Sequence, residues 1–345
     1  MTEKLPIPFA ADREATLSNV IDLKEYPALF AAWNRSAKTL TAVKDRLHQV
    51  DQRVATVAVS GSLGRMEQLD HSDGDFIVLL KDGISLDSSE AQDAFQNVWS
   101  VLNPLGLEKP KTTGIYASPS NQAELCDPVA RGQVDEDVST FGKRIQLLLD
   151  CQPVYGADAF RNTIDSVIER YTSGTYQSDN ETIWKYLLDD LIRYFRSLSV
   201  MSRWEAQDRP GYWRLRNVKL RHTRLMMYAG LLLLMGEADR QPDKGVDWLK
   251  DRLSLTALER VAFVYAQHGD ENFSPIAKYY ERYLSRLGDS DFFAALTDDE
   301  DCEREEHPQY RELEKNSQEL LAELSRFIIQ KQNQWNPRFR RALFF

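Results

Sequence analysis

The stretch running from residue 54 to residue 80 limits the fold more than any other part of the chain. Residues 54–59 alternate and are rich in β-branched side chains, which predicts a strand. Gly61-Ser62-Leu63-Gly64-Arg65 follows as a turn, and Asp75–Leu80 returns as a second, apolar strand that ends at Lys81-Asp82-Gly83. The polar connection between them is therefore held between two strands.

Helical apolar spacing through Leu29, Phe30, Trp33, Leu40, Val43 and Leu47 predicts a helix over residues 26–50, preceded by a proline-containing polar arm. Residues 88–102 read as another helix. Residues 113–117 and 124–126 are expected to add strand, broken by Pro119. The pattern then turns helical, over 140–155 and from Asn180 onward, with strong helices at 181–204 and 214–235 separated by the turn Asp208-Arg209-Pro210-Gly211. The acidic run at 298–306 reads as a solvated linker, and 308–334 as a last amphipathic helix before a tail of cations and hydrophobes at 338–345. The expected class is α+β, with an N-terminal mixed sheet and flanking helices over residues 1–160 and a helical domain over 161–345.

At 345 residues and 42% hydrophobic, the chain can bury a substantial core, which fits two packed domains. A net charge of −10 argues against broad nucleic-acid binding, since most of the surface would repel a polyanion. The longest apolar segment, 226–235, is too short for a bilayer, so the expectation is a soluble, cytoplasmic protein without a membrane partner. Cys126, Cys151 and Cys302 are scattered and read as reduced and structural. The histidines (His48, His71, His222, His268, His307) form no cluster, so any metal is expected on oxygen ligands.

The connection has a chemistry of its own. Gly61 and Gly64 let backbone N–H groups approach a ligand, Ser62 adds a hydroxyl, and Arg65 supplies a positive fork, a set suited to phosphate. In an extended strand residues i and i+2 share a face, so Asp73 and Asp75 converge and repel unless a cation lies between them. Mg²⁺ bridging both to the phosphates of an NTP is the natural occupant. The duller reading, a hairpin turn beside an exposed Asp-Gly-Asp turn, explains each piece but not their order.

At these residues the sequence resembles the nucleotidyltransferase superfamily of polymerase-β-like fold, with its Gly-Ser turn and paired-aspartate strand. It is similar to the branch of bacterial signal-protein uridylyltransferases and their nucleotidyltransferase relatives. Phe141-Gly142-Lys143-Arg144-Ile145-Gln146-Leu147-Leu148-Leu149-Asp150, Pro153-Val154-Tyr155-Gly156 and the segment 213–221 add looser matches. The resemblance implies two Mg²⁺ ions, with Mn²⁺ as an alternative, on Asp73 and Asp75, and a triphosphate held by Ser62 and Arg65. It also implies transfer of NMP from an NTP such as ATP to a hydroxyl on a protein, small molecule or nucleotide, with pyrophosphate release. Such enzymes carry a third carboxylate as metal ligand and base: Asp127 is the first choice, then Glu124, with Asp135 and Asp137 behind them. Nothing matches the uridylyltransferases' histidine-aspartate hydrolase domain.

The helical half concentrates cations at Arg193, Arg196, Arg203, Arg209, Arg214, Arg216, Lys219, Arg221 and Arg224, interrupted by Glu205 and Asp208. Two helices bearing them would present a basic wall to the cleft, with Lys219 and Arg216 as phosphate contacts; salt bridges within the chain are the competing use. Tyr212 or Trp213 are the candidates for base stacking. Two other functions use the same turn: a defence-type cyclic-nucleotide or oligonucleotide synthase with a second NTP as acceptor, and a nucleotide-binding regulatory module without turnover.

Overall fold

The computed structural model of the chain describes residues 17–70, 72, 74–107, 113–129, 136–172, 184–204, 210–241, 245–269, 273–298 and 307–344. Among these the protein is mostly helical around one four-stranded mixed sheet. The strands β1 (Val54–Ser60), β2 (Asp75–Leu80), β3 (Ser120–Asn121) and β4 (Gln152–Tyr155) lie in the order β3-β2-β1-β4. β1 runs antiparallel to β2 and β4, and β2 runs parallel to β3. Nearly every residue of β1 and β2 is buried, because helices cover the sheet, which is why both strands are apolar on either face.

Helix α1 (Pro27–Leu47) buries Leu29, Trp33, Leu40, Val43 and Leu47, the stripe its sequence presents. Its first free N–H groups, on Ala28 and Leu29, donate to the Glu281 carboxylate at 2.8 Å each, so a distant acid caps it. Helix α2 (Ser89–Leu102) is capped by the Ser88 hydroxyl, and its Trp99 packs edge-on against Phe76 of β2 at 5.6 Å between ring centroids.

Two expectations for the middle of the chain change. Residues 113–117 form turns, and Glu124 lies in a single helical turn, Gln122–Leu125, after the two-residue β3. The region 140–155 is not helical throughout: α3 (Val138–Leu149) stops at Asp150 and the chain enters β4. β4 is short, carries Pro153 and occupies a sheet edge, where the missing N–H does no harm; four such residues give little periodicity. Gly156 then turns into α4 (Ala157–Thr172) at φ +64°, and a Cβ there would meet the Ala55 carbonyl oxygen at 2.0 Å, so only glycine fits.

From α4 onward every described element is a helix. Helix α5 (Lys185–Trp204) is followed by α6 (Pro210–Lys219), a π-helical turn (Leu220–Arg224) and α7 (Leu225–Ala238). Pro210 and Gly211 therefore open a helix rather than close a turn, and the expected single helix at 214–235 carries a π insertion; Asp208 and Arg209 lie outside the described residues. Helix α8 (Ala257–Gln267) begins with a Thr256–Glu259 capping box, and its Arg260 is buried and donates to the Leu148 carbonyl at 2.8 Å. Helix α9 (Phe273–Gly288) packs on α1 and on α10 (Pro308–Lys331). One continuous apolar core runs through sheet and helices.

The tail docks on its own chain. Trp335 is buried against Gly236, where a Cβ would lie 2.4 Å from the indole, and its Nε1 donates to Glu237 at 3.0 Å. Phe339, on α11 (Pro337–Ala342), is fully buried. No helix among the described residues is long and apolar enough to cross a membrane.

Candidate functional site

The Gly61–Gly64 turn stands where the C-terminal end of β1 meets the first residue of β2, since Ser60 pairs with Asp75. Gly61 has φ +68°, and a Cβ there would lie 2.6 Å from Asp75 Oδ2; the aspartate thus reaches over the turn into space that only glycine leaves. Gly64 is equally constrained, with the Asp150 and Val59 carbonyl oxygens 2.6 and 2.7 Å from where a Cβ would be. The turn closes on Met66, at φ +66°, with Glu67 N donating to the Ser62 carbonyl at 2.7 Å and Met66 N to that of Leu63 at 3.2 Å. A non-glycine residue in the left-handed region costs about 1 kcal/mol, here offset by burial of the Met66 side chain.

A buried polar network holds the turn from beneath. Asp150, at the end of α3, accepts from Ser60 Oγ at 2.8 Å on Oδ1 and from the Gly61 N–H at 3.2 Å on Oδ2, and Arg65 Nη1 reaches that second oxygen at 2.6 Å. Gln146, one turn earlier in α3, donates to Ser60 Oγ at 2.7 Å and to Asp150, while its carbonyl accepts the Tyr194 hydroxyl at 2.7 Å. The Tyr116 hydroxyl completes the group 2.9 Å from Ser60 Oγ. Burial, reinforced by the carboxylates of Asp75 and Asp150, holds the Tyr116 phenol well above its ordinary pKa.

Arg65 is clamped between two carboxylates, with Nε on Glu67 at 2.9 Å and Nη1 on Asp150. Burial opposes its charge, but Glu67 and Asp150 outweigh it and keep its pKa well above the usual arginine value. Glu67 also receives the Tyr280 hydroxyl from α9. The arginine therefore fastens the turn to α3 and to the helical half, a use beyond the phosphate fork expected from sequence.

Asp73 lies outside the described residues, as do Asp135, Arg209 and the side chain of Arg203. Ser62 is half-buried on the turn. Asp127 follows β3 in the chain, and β3 pairs with Leu79 and Leu80 at the end of β2 opposite Asp75, roughly 16 Å along the strand. It is exposed, its Oδ1 accepts the Val129 N–H at 2.8 Å, and its carbonyl accepts the Arg170 guanidinium. Glu124 accepts Ser120 and Thr140 hydroxyls, and Asp137 caps α3. A buried carboxylate that reaches the turn from α3 is that of Asp150. Among the described residues no three metal-ligating side chains cluster, with Asp73 outside that set.

Of the cations, Arg193 pairs with Glu136 at 2.9 Å and lies over Phe141, Arg214 is buried on Asp298 at 2.8 Å, and Arg221 reaches Glu314 at 3.4 Å. These use their charge within the fold. Arg216 lies over the Tyr212 ring at 5.4 Å, and Lys219 ends α6, half-buried, just before the π turn. Trp213 is taken up by packing, its Nε1 donating to the Ser202 carbonyl at 2.7 Å.

No family model and no curated protein matches this chain. The segment 141–156 can instead be read from its contacts. Gly142 leaves room for Ile115, whose Cγ2 would lie 2.4 Å from a Cβ, and so lets Tyr116 reach Ser60. Lys143 Nζ bonds Ser118 and the Pro119 carbonyl at 3.3 Å each, Arg144 pairs with the buried Glu136, and Gln152 donates to the Gly64 carbonyl. The segment is thus the scaffold of the Gly-Ser turn, a role its sequence alone did not disclose.

Proposed function

We propose that the chain is a Mg²⁺-dependent nucleotidyltransferase that moves NMP from an NTP to a hydroxyl acceptor, with residues 1–160 as the catalytic part and 161–345 as a helical domain beside it. The observation that carries this reading is the contact of Asp75 with Gly61: a carboxylate held over a glycine turn whose backbone and Ser62 hydroxyl can meet phosphate. The donors here are oxygens, which suits Mg²⁺ rather than a softer metal. Asp75, with Asp73 two residues before it, would hold the ion, which when bound neutralises the phosphates and polarises the transferred phosphoryl group.

The chain's own residues do the positioning. Asp150 and Gln146 fix Ser60 and the Gly61 N–H, so the turn keeps its shape without a ligand and loses little entropy on binding. Arg65, its charge met by Glu67 and Asp150, fastens the turn, and Arg216 and Lys219 on α6 would supply positive charge to the phosphates. Asp150 is buried and fully engaged, so it positions the turn and does not take the acceptor's proton.

The test is incubation with each NTP and Mg²⁺, alone and with candidate acceptors, with pyrophosphate release as readout. Release that needs an acceptor supports the transferase, release from NTP alone supports the synthase, and metal-dependent binding without release across acceptors supports a non-catalytic module.

A further inference from the structure

We propose that Arg224 is an anion-binding residue of this cleft, which takes a phosphate oxygen on its Nη1. Arg224 closes the π turn between α6 and α7, and single π turns, which shift the facing of the residues after them, recur at functional sites. Its neighbours on the same helix face show where that face looks. Met227 Sδ lies 3.6 Å from Arg65 Nη1, and Tyr228 stacks on Phe195 of α5 at 4.7 Å. Arg224, one turn before both, is therefore directed between the Gly-Ser turn and α5, where Tyr194 joins the network under Ser60.

Within that space Arg224 Nη1 is buried and has no hydrogen-bond partner among the described residues. A buried guanidinium N–H left unpaired is costly, whereas Arg193, Arg214 and Arg221 of the same helical half are paired with acids. Burial lowers the Arg224 pKa, Arg216 and Arg65 lower it further, and the Tyr194 and Tyr116 phenols oppose this. Arg65 spends its charge on Glu67 and Asp150, whereas the buried Arg224 donor is unspent and calls for an anion. The planar fork suits phosphate.

The inference deepens the nucleotidyl-transfer reading and rests on it only for what carries the phosphate, the nucleotide or an anionic acceptor. R224M and R224K are titrated beside the wild type, first with inorganic tripolyphosphate without metal, then with Mg²⁺ and a non-hydrolysable NTP, then with inorganic phosphate on top of that nucleotide. We expect R224M to weaken tripolyphosphate at least tenfold, and R224K, which keeps the charge and loses the fork, to weaken it less. If the nucleotide supplies the phosphate, the NTP arm weakens equally; if the acceptor does, the NTP arm holds and the added phosphate response is lost. Wild-type affinities in all three arms, or a lowered melting temperature with wild-type affinities, overturn the proposal. If R224M does not fold, R224K at wild-type affinity overturns it alone. Should nucleotidyl transfer itself be wrong, pyrophosphate release is absent from every variant while the R224M loss of tripolyphosphate persists, so the two failures are distinct.

Discussion

Asp75 Oδ2 occupies the place a Cβ on Gly61 would need, 2.6 Å away, so the turn and the carboxylate are fitted to each other. Gly61→Ala must move one of them and also holds alanine at φ +68°. We expect a stability loss of roughly 1–3 kcal/mol in urea titration and loss of the Mg²⁺-NTP thermal shift. A variant that keeps the full shift would show that this contact does not shape the site.

The Asp150–Arg65 pair is buried and shares the Gly61 N–H and Ser60 hydroxyl. Asp150→Asn leaves the guanidinium with Glu67 alone, and breaking a buried pair from one side costs about 3–5 kcal/mol. Urea midpoints of D150N and wild type measure this directly. A loss under about 1 kcal/mol, the level of an exposed pair, would contradict the structural role.

His222 is buried, stacked on Tyr283 at 4.4 Å, with Nδ1–H donating to the Val218 carbonyl and Nε2 accepting from Asn316. Burial pushes its pKa down to about 4. Because the folded value lies below the unfolded one near 6.5, the unfolded chain binds the proton first, and the stability His222 contributes is complete above pH 6.5 and falls as pH drops toward 4. The loss over that window is on the order of 3 kcal/mol. H222Q is expected to flatten this acid limb in urea titrations at pH 4, 5, 6 and 7; an unchanged slope would assign the limb to other groups.

The strand-turn-strand core was legible because its signals are local: β-branched alternation, glycines and an apolar run within one short stretch. Asp150 and Gln146 were not, since they reach Ser60 across 90 and 86 residues from the end and the last turn of a helix that reads as ordinary core. Nor could the sequence separate the arginines. Arg193, Arg214 and Arg221 look like Arg224 until Glu136, Asp298 and Glu314 are seen beside the first three. The π turn leaves no mark in hydrophobic spacing, so 214–235 read as one helix.

The tail is expected to act on stability rather than on nucleotide binding. Trp335→Ala removes a buried indole from Gly236 and leaves Glu237 to His268 and Arg240. A loss of about 3–5 kcal/mol is expected with nucleotide affinity unchanged under folding conditions. A weakened nucleotide affinity in the folded variant would show that the tail reaches the site.

The central claim is tested most directly by melting wild type, Asp73→Ala and Asp75→Ala with and without Mg²⁺ and a non-hydrolysable NTP, beside a pyrophosphate-release assay with hydrolysable NTP. If the two carboxylates face one ion, each substitution relieves repulsion, so apo melting temperatures equal or exceed wild type while both the ligand shift and pyrophosphate release disappear. A destabilised mutant that still responds to Mg²⁺-NTP as wild type does would contradict the metal-site assignment.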